Sequence, residues 1–212
     1  MTAERVFMNE LGFFQVTVIP ILFIVAAYLL GSVSFGIIVS KAFGLADPRT
    51  VGSGNPGATN VLRSGKKSAA VLTLLGDALK GWLPVWLALQ FNMLMWVVAV
   101  VGLAVFFGHL YPIFYKFKGG KGVATALGVM LAVSPWLGLA CILAWGIMFA
   151  ISRISSLAAL MAAALSPVFA YLLLPYKDYV WMVLVMAVML FWRHKTNIQK
   201  LIAGTESSFK KK

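Results

Sequence analysis

The chain has 212 residues, of which 61% are hydrophobic and 11% are charged, and its mean hydropathy is +0.92. A soluble domain is about half apolar and about a quarter charged, so this composition excludes an ordinary soluble enzyme or binding domain. The net charge of +12 comes from 18 Lys and Arg residues against 6 Asp and Glu residues. Since no polar half could fold separately, we expect residues 1–212 to form one polytopic membrane domain.

Apolar runs along the chain predict an all-α integral membrane fold with about seven transmembrane helices. A crossing helix needs about 20 apolar residues to span about 30 Å of hydrocarbon, where lipid offers backbone N–H and C=O groups no partners. The runs lack the regular alternation that a membrane β-barrel requires. They cover residues 16–39, 69–90, 93–114, 123–133, 136–152, 155–174 and 179–192. The fourth run is short, so it either begins inside the preceding loop or does not cross fully.

Basic residues are concentrated in alternate connections and at the C-terminus. The loop after the first run, the loop before the fourth run, the turn at Arg153 and the tail are basic, whereas the other connections are nearly uncharged. Positive residues stay on the cytoplasmic side of a membrane. The pattern predicts a periplasmic N-terminus, a cytoplasmic C-terminus and an odd number of crossings. We expect the basic tail at residues 207–212 to be mobile.

The sequence GSGNPG in the first loop has the glycine spacing of dinucleotide-binding folds, G-x-G-x-x-G. Such a site needs a strand before the glycines, a helix directly after them and an acidic residue about 20 residues further on. Here a membrane helix precedes the loop, and Asp77, at about the right distance, lies inside an apolar run. No G-K-[S/T] closes the loop as a P-loop requires. We therefore reject both nucleotide interpretations.

Two glycine-rich loops on the predicted cytoplasmic face favour a site for phosphates. Glycine lets the backbone approach a ligand and expose successive N–H groups, which bind anions. The first loop contains Gly52, Gly54 and Gly57, interleaved with Ser53, Asn55, Thr59 and Asn60 and followed by Arg63. The second loop contains Gly119, Gly120 and Gly122 with Lys118 and Lys121. Ordinary turns also favour Gly, Asn and Ser, but the repetition on one face favours binding of two phosphates or of one large phosphate ligand.

His194 and Asn197 lie three residues apart at the start of the tail, so on a continuous helix they share one face. His194 is the better functional candidate of the two histidines because it lies at the cytoplasmic edge. His109 lies inside a span and is expected to be a hydrogen-bonded structural group. No carboxylate is close to either histidine in the sequence, so we expect no metal site. Asp77 and Lys80 are also three residues apart and are expected to pair.

Cys141 is the only cysteine, so the sequence predicts neither a disulfide nor a thiolate metal site. We expect it to be buried and inert, as most such cysteines are. The small residues at 158–164 are compatible with homodimerisation, but we expect them to pack helices inside one monomer, so that no oligomer is required.

Five segments follow one another from about Tyr28 to Glu206: YLLGSVSFG, GSGNPGATNVLR, GDALKG, GHLYPIFYKFKGGKGVATALG and RHKTNIQKLIAGTE. In this order they resemble the successive motifs of the bacterial acyl-phosphate:glycerol-3-phosphate acyltransferases, the PlsY family. GSGN-x-GATN and FKGGKGVAT are long and specific. The one departure is Ser34, where the family often has proline, and it concerns the shape of a helix end.

The resemblance implies a seven-helix inner-membrane enzyme that moves a fatty acyl group from acyl phosphate to the sn-1 hydroxyl of glycerol 3-phosphate. The products are lysophosphatidic acid and phosphate, in the first step of bacterial phospholipid synthesis. The roles that the family's motifs imply cover the whole site: Ser53 and Arg63 as the essential pair of the first loop, Gly119–Gly122 with Lys121 in the glycerol-phosphate site, His194 and Asn197 completing it, and Glu206 holding the tail in place.

The residues fit direct transfer without a covalent acyl-enzyme and without a cofactor. Acyl phosphate is a mixed anhydride with a good leaving group, so the protein has to position two anions and stabilise the developing charge. We assign the first loop to acyl phosphate, whose tail lies among membrane lipid, and we assign Arg63, Lys121, His194 and Asn197 to glycerol 3-phosphate. Either His194 or a substrate phosphate oxygen accepts the hydroxyl proton.

Two other functional classes are open at this point. A membrane transporter of a phosphorylated small molecule would use similar basic loops, but carriers usually bind substrate near the bilayer midplane and often contain internal repeats. An enzyme that uses acyl-CoA cannot be distinguished from the residues alone, and only the resemblance favours acyl phosphate. Nucleic-acid binding is not expected, because the basic residues lie against a membrane and are not interleaved with aromatic residues on a soluble face.

Overall fold

The computed structural model describes residues 17–209, and within this range the chain forms ten α-helices and no strand. The all-helical prediction is thus confirmed. In chain order the helices are α1 (Ile19–Gly31), α2 (Phe35–Ala42), α3 (Ala58–Leu62), α4 (Lys67–Gln90), α5 (Met95–Leu110), α6 (Val123–Val133), α7 (Pro135–Ser152), α8 (Ser155–Leu173), α9 (Lys177–Arg193) and α10 (Lys195–Ile202), with a 3₁₀ turn at Ile113–Tyr115 after α5.

Four of these helices, namely α4, α5 with its extension to Tyr115, α7 and α8, are long and apolar enough to cross a membrane. A fifth crossing results if α1 and α2 together form one bent span. Helix α6 has 11 residues, so it is about 16 Å long, or about half the hydrocarbon thickness. The count of seven spans and the cytoplasmic C-terminus stay predictions. The predicted periplasmic N-terminus falls on residues 1–16, which lie outside the described residues.

The first apolar run is broken rather than continuous. Helices α1 and α2 meet at an angle of 43°, and Ser34 between them has an extended backbone, with φ −97° and ψ 98°. The hydroxyl of Ser32 donates to the Tyr28 carbonyl at 2.9 Å, and Lys80 Nζ donates to the Val33 carbonyl at 2.5 Å. Lys80 of α4 therefore contacts the break. Ser34 adopts the extended backbone that the break requires, although it is not a proline.

Helix α5 lies at the centre of the bundle, where it packs against α1, α4, α6 and α9. Val98, Val101, Val105 and Phe106 on this helix are fully buried. Cys141 on α7 is also buried, with its Sγ 3.7 Å from the sulfur of Met130, as expected for an inert thiol. The C-terminal end of α5, at His109 and Leu110, lies next to the second glycine-rich loop.

Helices α4 and α6 approach each other at the distance of backbone contact. A Cβ on Gly81 would meet the carbonyl oxygen of Thr125, and a Cβ on Gly128 would meet that of Ala78. Both glycines are therefore needed for the close approach. On the other side of the bundle, Ala158, Ala159 and Ala163 of α8 are buried within the monomer, as expected from the small-residue stretch.

Asp77 and Lys80 form the predicted pair inside the bundle, with Lys80 Nζ 2.8 Å from Asp77 Oδ1 and both side chains almost fully buried. The contact is an ion pair that lies off the hydrogen-bond direction at Oδ1. His109 Nδ1 lies 3.6 Å from the same oxygen and 3.2 Å from Thr125 Oγ1, which in turn donates to the Asp77 carbonyl at 3.0 Å. His109 is thus a hydrogen-bonded group within the bundle, as predicted.

Candidate functional site

The first glycine-rich loop, which we call the serine loop (residues 47–57), is folded around the side chain of Asn60. Asn60 Nδ2 donates to the Pro48 carbonyl at 2.7 Å and to the Val51 carbonyl at 3.0 Å, and Asn60 Oδ1 accepts from the Ser53 amide at 3.0 Å. Gly52 has φ +57°, and a Cβ there would collide with Asn60 Oδ1. Asn60 therefore holds the loop in shape, which revises the prediction that it contacts substrate.

The serine loop exposes fewer main-chain amides than its glycines suggest. The Ser53 amide donates to Asn60, and the Gly54 amide donates to the Val51 carbonyl at 3.0 Å. Within the described residues the Ser53 hydroxyl has no hydrogen-bond partner, and it is exposed together with Gly52 and Gly54. This loop thus offers a ligand the Ser53 hydroxyl and the other polar groups of the loop, including the Asn55 side chain.

The second glycine-rich loop, which we call the glycine loop (residues 117–122), packs directly against His109. The Gly120 amide donates to the His109 carbonyl at 3.2 Å. A Cβ on Gly119 would collide with that carbonyl, and a Cβ on Gly120 would collide with His109 Nε2. Gly122 has φ +88° where α6 begins. These glycines are therefore required by close packing and by backbone conformation.

Arg193, the last residue of α9, contacts the glycine loop from the tail. Its Nη2 donates to the Gly119 carbonyl at 2.8 Å and its Nε to the Gly120 carbonyl at 3.2 Å, while the guanidinium lies 5.6 Å from the ring centre of Tyr111. From the sequence, Arg193 is only one of the basic residues of the tail. Its position beside His194 was the one signal of a more specific role.

A chain of side-chain contacts connects the two loops through the tail. Lys121 Nζ donates to Asn197 Oδ1 at 2.6 Å, and Asn197 Nδ2 donates to Glu206 Oε1 at 2.7 Å. Glu206 Oε1 also accepts from the Ser156 hydroxyl at 2.8 Å. The neighbouring Ser155 is 3.2 Å from Thr59 Oγ1, directly after the serine loop. The two loops and the tail thus lie on one face of the bundle.

Arg63 joins the same region from the end of α3. Its Nη2 donates to the Ser207 hydroxyl at 2.6 Å, and its guanidinium is exposed. Residues 207–209 are tied down further because the Phe209 amide donates to the Arg153 carbonyl at 2.8 Å. The predicted mobility of residues 207–212 stays a prediction, and residues 210–212 lie outside the described residues. Lys118 is exposed and makes no side-chain hydrogen bond within residues 17–209.

Burial dominates the electrostatics of Lys121 and lowers its pKa to about 8. The charge of Glu206 opposes this shift, whereas the charges of Arg63, Lys200 and Arg193 add to it, so these basic groups all act on Lys121. The ammonium is still charged at neutral pH. It therefore presents a desolvated cation beside Asn197, where it is able to bind an anion.

His194 is neutral at physiological pH. Burial lowers its pKa to about 4, an effect that the hydrogen bond to Leu190 opposes and the charge of Lys121 increases. His194 Nδ1 lies 2.7 Å from the Leu190 carbonyl oxygen. A carbonyl can only accept, so Nδ1 carries the proton and Nε2 has the free lone pair. His194 is thus suited to accept a hydrogen bond from a hydroxyl.

The described part of the chain contains no group of three or more His, Cys, Asp or Glu side chains that could hold a metal ion. A cavity of about 10 Å³ lies between the α1–α2 break and the glycine loop, lined among others by Ser32, Lys80, His109, Lys118 and Gly120. This volume suits about one water molecule.

The side chains brought together on the shared face, described above, are suited to bind anions and a hydroxyl.

The family model described as glycerol-3-phosphate acyltransferase matches residues 21–204 of this chain. The glycerol-3-phosphate acyltransferase of Methylobacillus flagellatus is 67% identical over 190 residues, which cover 90% of this chain and 97% of that relative. The protein of the same name from Thiobacillus denitrificans is 57% identical over 198 residues, which cover 92% of this chain and 99% of the relative.

Two solved structures share the fold. A crystal structure of PlsY, an integral membrane glycerol 3-phosphate acyltransferase, in its glycerol 3-phosphate form superimposes with a TM-score of 0.86 and 41% identity, covering 90% of this chain and 96% of that one. The lysophosphatidic acid form has a TM-score of 0.85 and 39% identity and covers 90% of this chain and 95% of that one. The likeness extends over nearly the whole described bundle.

Proposed function

The chain belongs to the glycerol-3-phosphate acyltransferase family, and we propose that it moves a fatty acyl group from acyl phosphate to the sn-1 hydroxyl of glycerol 3-phosphate. The products would be lysophosphatidic acid and inorganic phosphate. The observation that carries the proposal is the chain of contacts from Thr59 to Lys121, because it joins the serine loop, the tail and the glycine loop on one face. Two phosphorylated reactants can be held side by side there.

Glycerol 3-phosphate is assigned to the cationic part of this face. The proposed ligands of its phosphate are Lys121, Arg63 and the main chain of the glycine loop, with Asn197 holding the Lys121 ammonium in place at 2.6 Å. Glu206 accepts hydrogen bonds from both Asn197 and Ser156. We therefore assign it a supporting role, without contact to substrate. Arginine suits this task because its planar fork binds two phosphate oxygens together.

Acyl phosphate is assigned to the serine loop, with the Ser53 hydroxyl and the polar groups of Asn55 and Thr59 near its phosphate. The acyl tail would lie in the bilayer among membrane lipid, which gives a physical reason for a membrane enzyme to act on polar headgroups. We place the site at the cytoplasmic side of the inner membrane because the basic loops and tail meet there.

The reaction proposed is direct transfer. The sn-1 oxygen forms a bond to the acyl carbonyl carbon, the bond from that carbon to the phosphate oxygen breaks, and phosphate leaves with the electron pair. Positioning two reactants in this way contributes up to about 7–11 kcal/mol to lowering the barrier. With a pKa of about 4, His194 is a weak base, whereas a phosphate monoester has a second pKa of about 6. A substrate phosphate oxygen therefore takes the hydroxyl proton, while His194 Nε2 orients the hydroxyl.

The donor is tested with purified protein in lipid vesicles. Glycerol 3-phosphate is supplied with acyl phosphate, with acyl-CoA or with neither, and lysophosphatidic acid is followed by mass spectrometry. We expect product only with acyl phosphate. Product with acyl-CoA alone would reassign the donor. Uptake of labelled glycerol 3-phosphate into the vesicles without donor, and no product in any arm, would support the transporter instead.

Replacing His194 by glutamine should lower kcat by less than about tenfold. Glutamine can orient the hydroxyl by a hydrogen bond but cannot accept its proton, and loss of a true general base costs a factor of about 10² to 10⁴. The measurement is kcat for wild type and His194→Gln across pH 5 to 9 at saturating substrate. A drop beyond about a hundredfold with an intact fold would make His194 the base.

The lowered pKa of Lys121 leads us to expect a loss of activity at alkaline pH. Its pKa of about 8 means that the ammonium is present below pH 8 and is lost as the pH rises through that value. The kcat/KM for glycerol 3-phosphate should therefore fall above about pH 8, since this parameter reports groups of the free enzyme. Lys121→Arg keeps its charge in this range, so its alkaline limb should move to higher pH. Identical alkaline limbs in both proteins would contradict the assignment.

A further inference from the structure

Arg193 occupies a position that the proposed chemistry leaves unassigned. It ends α9, directly before His194, and its guanidinium bonds two successive carbonyls of the glycine loop, those of Gly119 and Gly120. The Tyr111 ring, 5.6 Å away, supports the guanidinium from one side. Two hydrogen bonds to the loop and one contact with the Tyr111 ring thus fix this side chain, which is more than a basic residue needs for membrane topology alone.

These contacts determine how the peptide groups of the glycine loop are oriented. In a planar trans peptide the C=O and the following N–H point in opposite directions. When the Gly119 and Gly120 carbonyls face Arg193, the amides of Gly120 and Lys121 face away from it. The Gly120 amide is taken by the His109 carbonyl at 3.2 Å. The Lys121 amide has no hydrogen-bond partner within the described residues and is left for a ligand.

His109 forms the opposite wall of the same loop. It contacts the glycine loop through its carbonyl and lies so close that a Cβ at Gly119 or Gly120 would collide with it. Its ring is fixed in turn by Thr125 Oγ1 at 3.2 Å. Arg193 on one side and His109 on the other restrain the loop backbone, although its glycines by themselves permit many conformations.

Arg193 also neutralises an unfavourable feature of the site. Two carbonyl oxygens carry partial negative charge, and they lie in the loop that also supplies Lys121, the cation beside Asn197. An anion brought to this loop would be repelled by free carbonyls. A guanidinium that binds both of them offsets this repulsion and adds a positive charge that already acts on Lys121.

We propose that Arg193 is a positioning residue for the proposed reaction: it clamps the glycine loop so that the Lys121 main-chain amide and ammonium face the phosphate of glycerol 3-phosphate. The inference rests on the proposed function of this loop. Arg193 touches the loop backbone and not the substrate, so its loss should weaken binding of one substrate rather than remove the chemistry.

The test replaces Arg193 by lysine, which keeps the positive charge but lacks the planar guanidinium group. One ammonium cannot bond two successive carbonyls and stack on Tyr111 as a planar guanidinium does. We expect KM for glycerol 3-phosphate to rise about tenfold or more, with kcat and the KM for acyl phosphate within about twofold of wild type. Tyr111→Leu removes the supporting ring and should shift the same KM in the same direction by a smaller factor.

Hydrogen exchange gives a second readout that does not depend on turnover. In the ligand-free protein, the backbone amides of residues 117–122 should exchange faster in Arg193→Lys than in wild type, because the loop becomes mobile. Arg153→Lys is the matched control: Arg153 is exposed on the same side and makes no side-chain hydrogen bond or ion pair within residues 17–209, so both KM values and the exchange rates should stay unchanged.

An unchanged KM together with unchanged exchange would overturn the clamp. A fall in kcat with a rise in both KM values and a lower thermal transition would also overturn it, because that pattern indicates general unfolding. If wild type makes no lysophosphatidic acid, the proposed function fails, and the exchange comparison still decides whether Arg193 holds the loop.

Discussion

Arg63→Lys is expected to lower kcat/KM for glycerol 3-phosphate by about 10- to 100-fold although the charge is kept. Arg63 is exposed beside Ser207, and its charge acts on Lys121. On the proposed assignment, its guanidinium would bind the phosphate together with Lys121. Lysine can supply one charged hydrogen bond in place of two, and each such bond contributes about 1.5–3 kcal/mol. At about 1.4 kcal/mol per tenfold change, this gives the stated range.

The measurement is initial-rate kinetics in lipid vesicles with each substrate varied in turn. Arg153→Lys serves again as the control for an arginine-to-lysine change on the same face, and it should behave as wild type. If Arg63→Lys retains activity within about threefold of wild type, a bidentate contact to phosphate is excluded, and Arg63 serves only to hold the tail through Ser207.

Lys80→Met should destabilise the protein by about 3–5 kcal/mol, since it leaves the buried Asp77 carboxylate without its cation. The Asp77 and Lys80 side chains are 4% and 1% exposed, so bulk solvent does not reach the carboxylate. Lys80 also holds the Val33 carbonyl at the α1–α2 break. The double variant Asp77→Asn/Lys80→Met removes both charges and should recover much of the lost stability, because a neutral pair carries no unpaired charge.

The free energy of unfolding is measured by denaturant titration in mixed micelles for wild type, both single variants and the double variant. Lys67→Met, an exposed lysine on the same helix, should differ little from wild type. A double variant that is no more stable than Lys80→Met would contradict the pairing argument. It would show that loss of the contact with Val33, rather than the unpaired Asp77 charge, causes the destabilisation.

The helices were predictable because length and apolarity are properties of the sequence itself. The runs at 123–133, 136–152 and 155–174 correspond closely to α6, α7 and α8. The break after Gly31 was not predictable in the same way. It depends on Lys80 of α4 reaching the Val33 carbonyl, and a contact between residues so far apart leaves no local pattern.

The site was predictable at the level of residue types and less so at the level of roles. Lys121, Asn197 and Glu206 form one hydrogen-bonded chain, but their residue numbers alone do not reveal it. Asn60 looked like a ligand-binding residue because amides favour loops, whereas both ends of its side chain are used in folding the serine loop. Arg193 could not be separated from the other basic residues until the carbonyls that it binds were known.

The glycine-mediated seam between α4 and α6 restricts where a lipid-like reactant can enter. Thr125 and Ala78 present backbone carbonyls to Gly81 and Gly128 with no room for even one added carbon. A hydrocarbon tail therefore cannot pass between these two helices at these positions. On the proposed function, the acyl donor would approach the serine loop along another surface of the bundle, and enlarging either glycine would force α4 and α6 apart without widening that route.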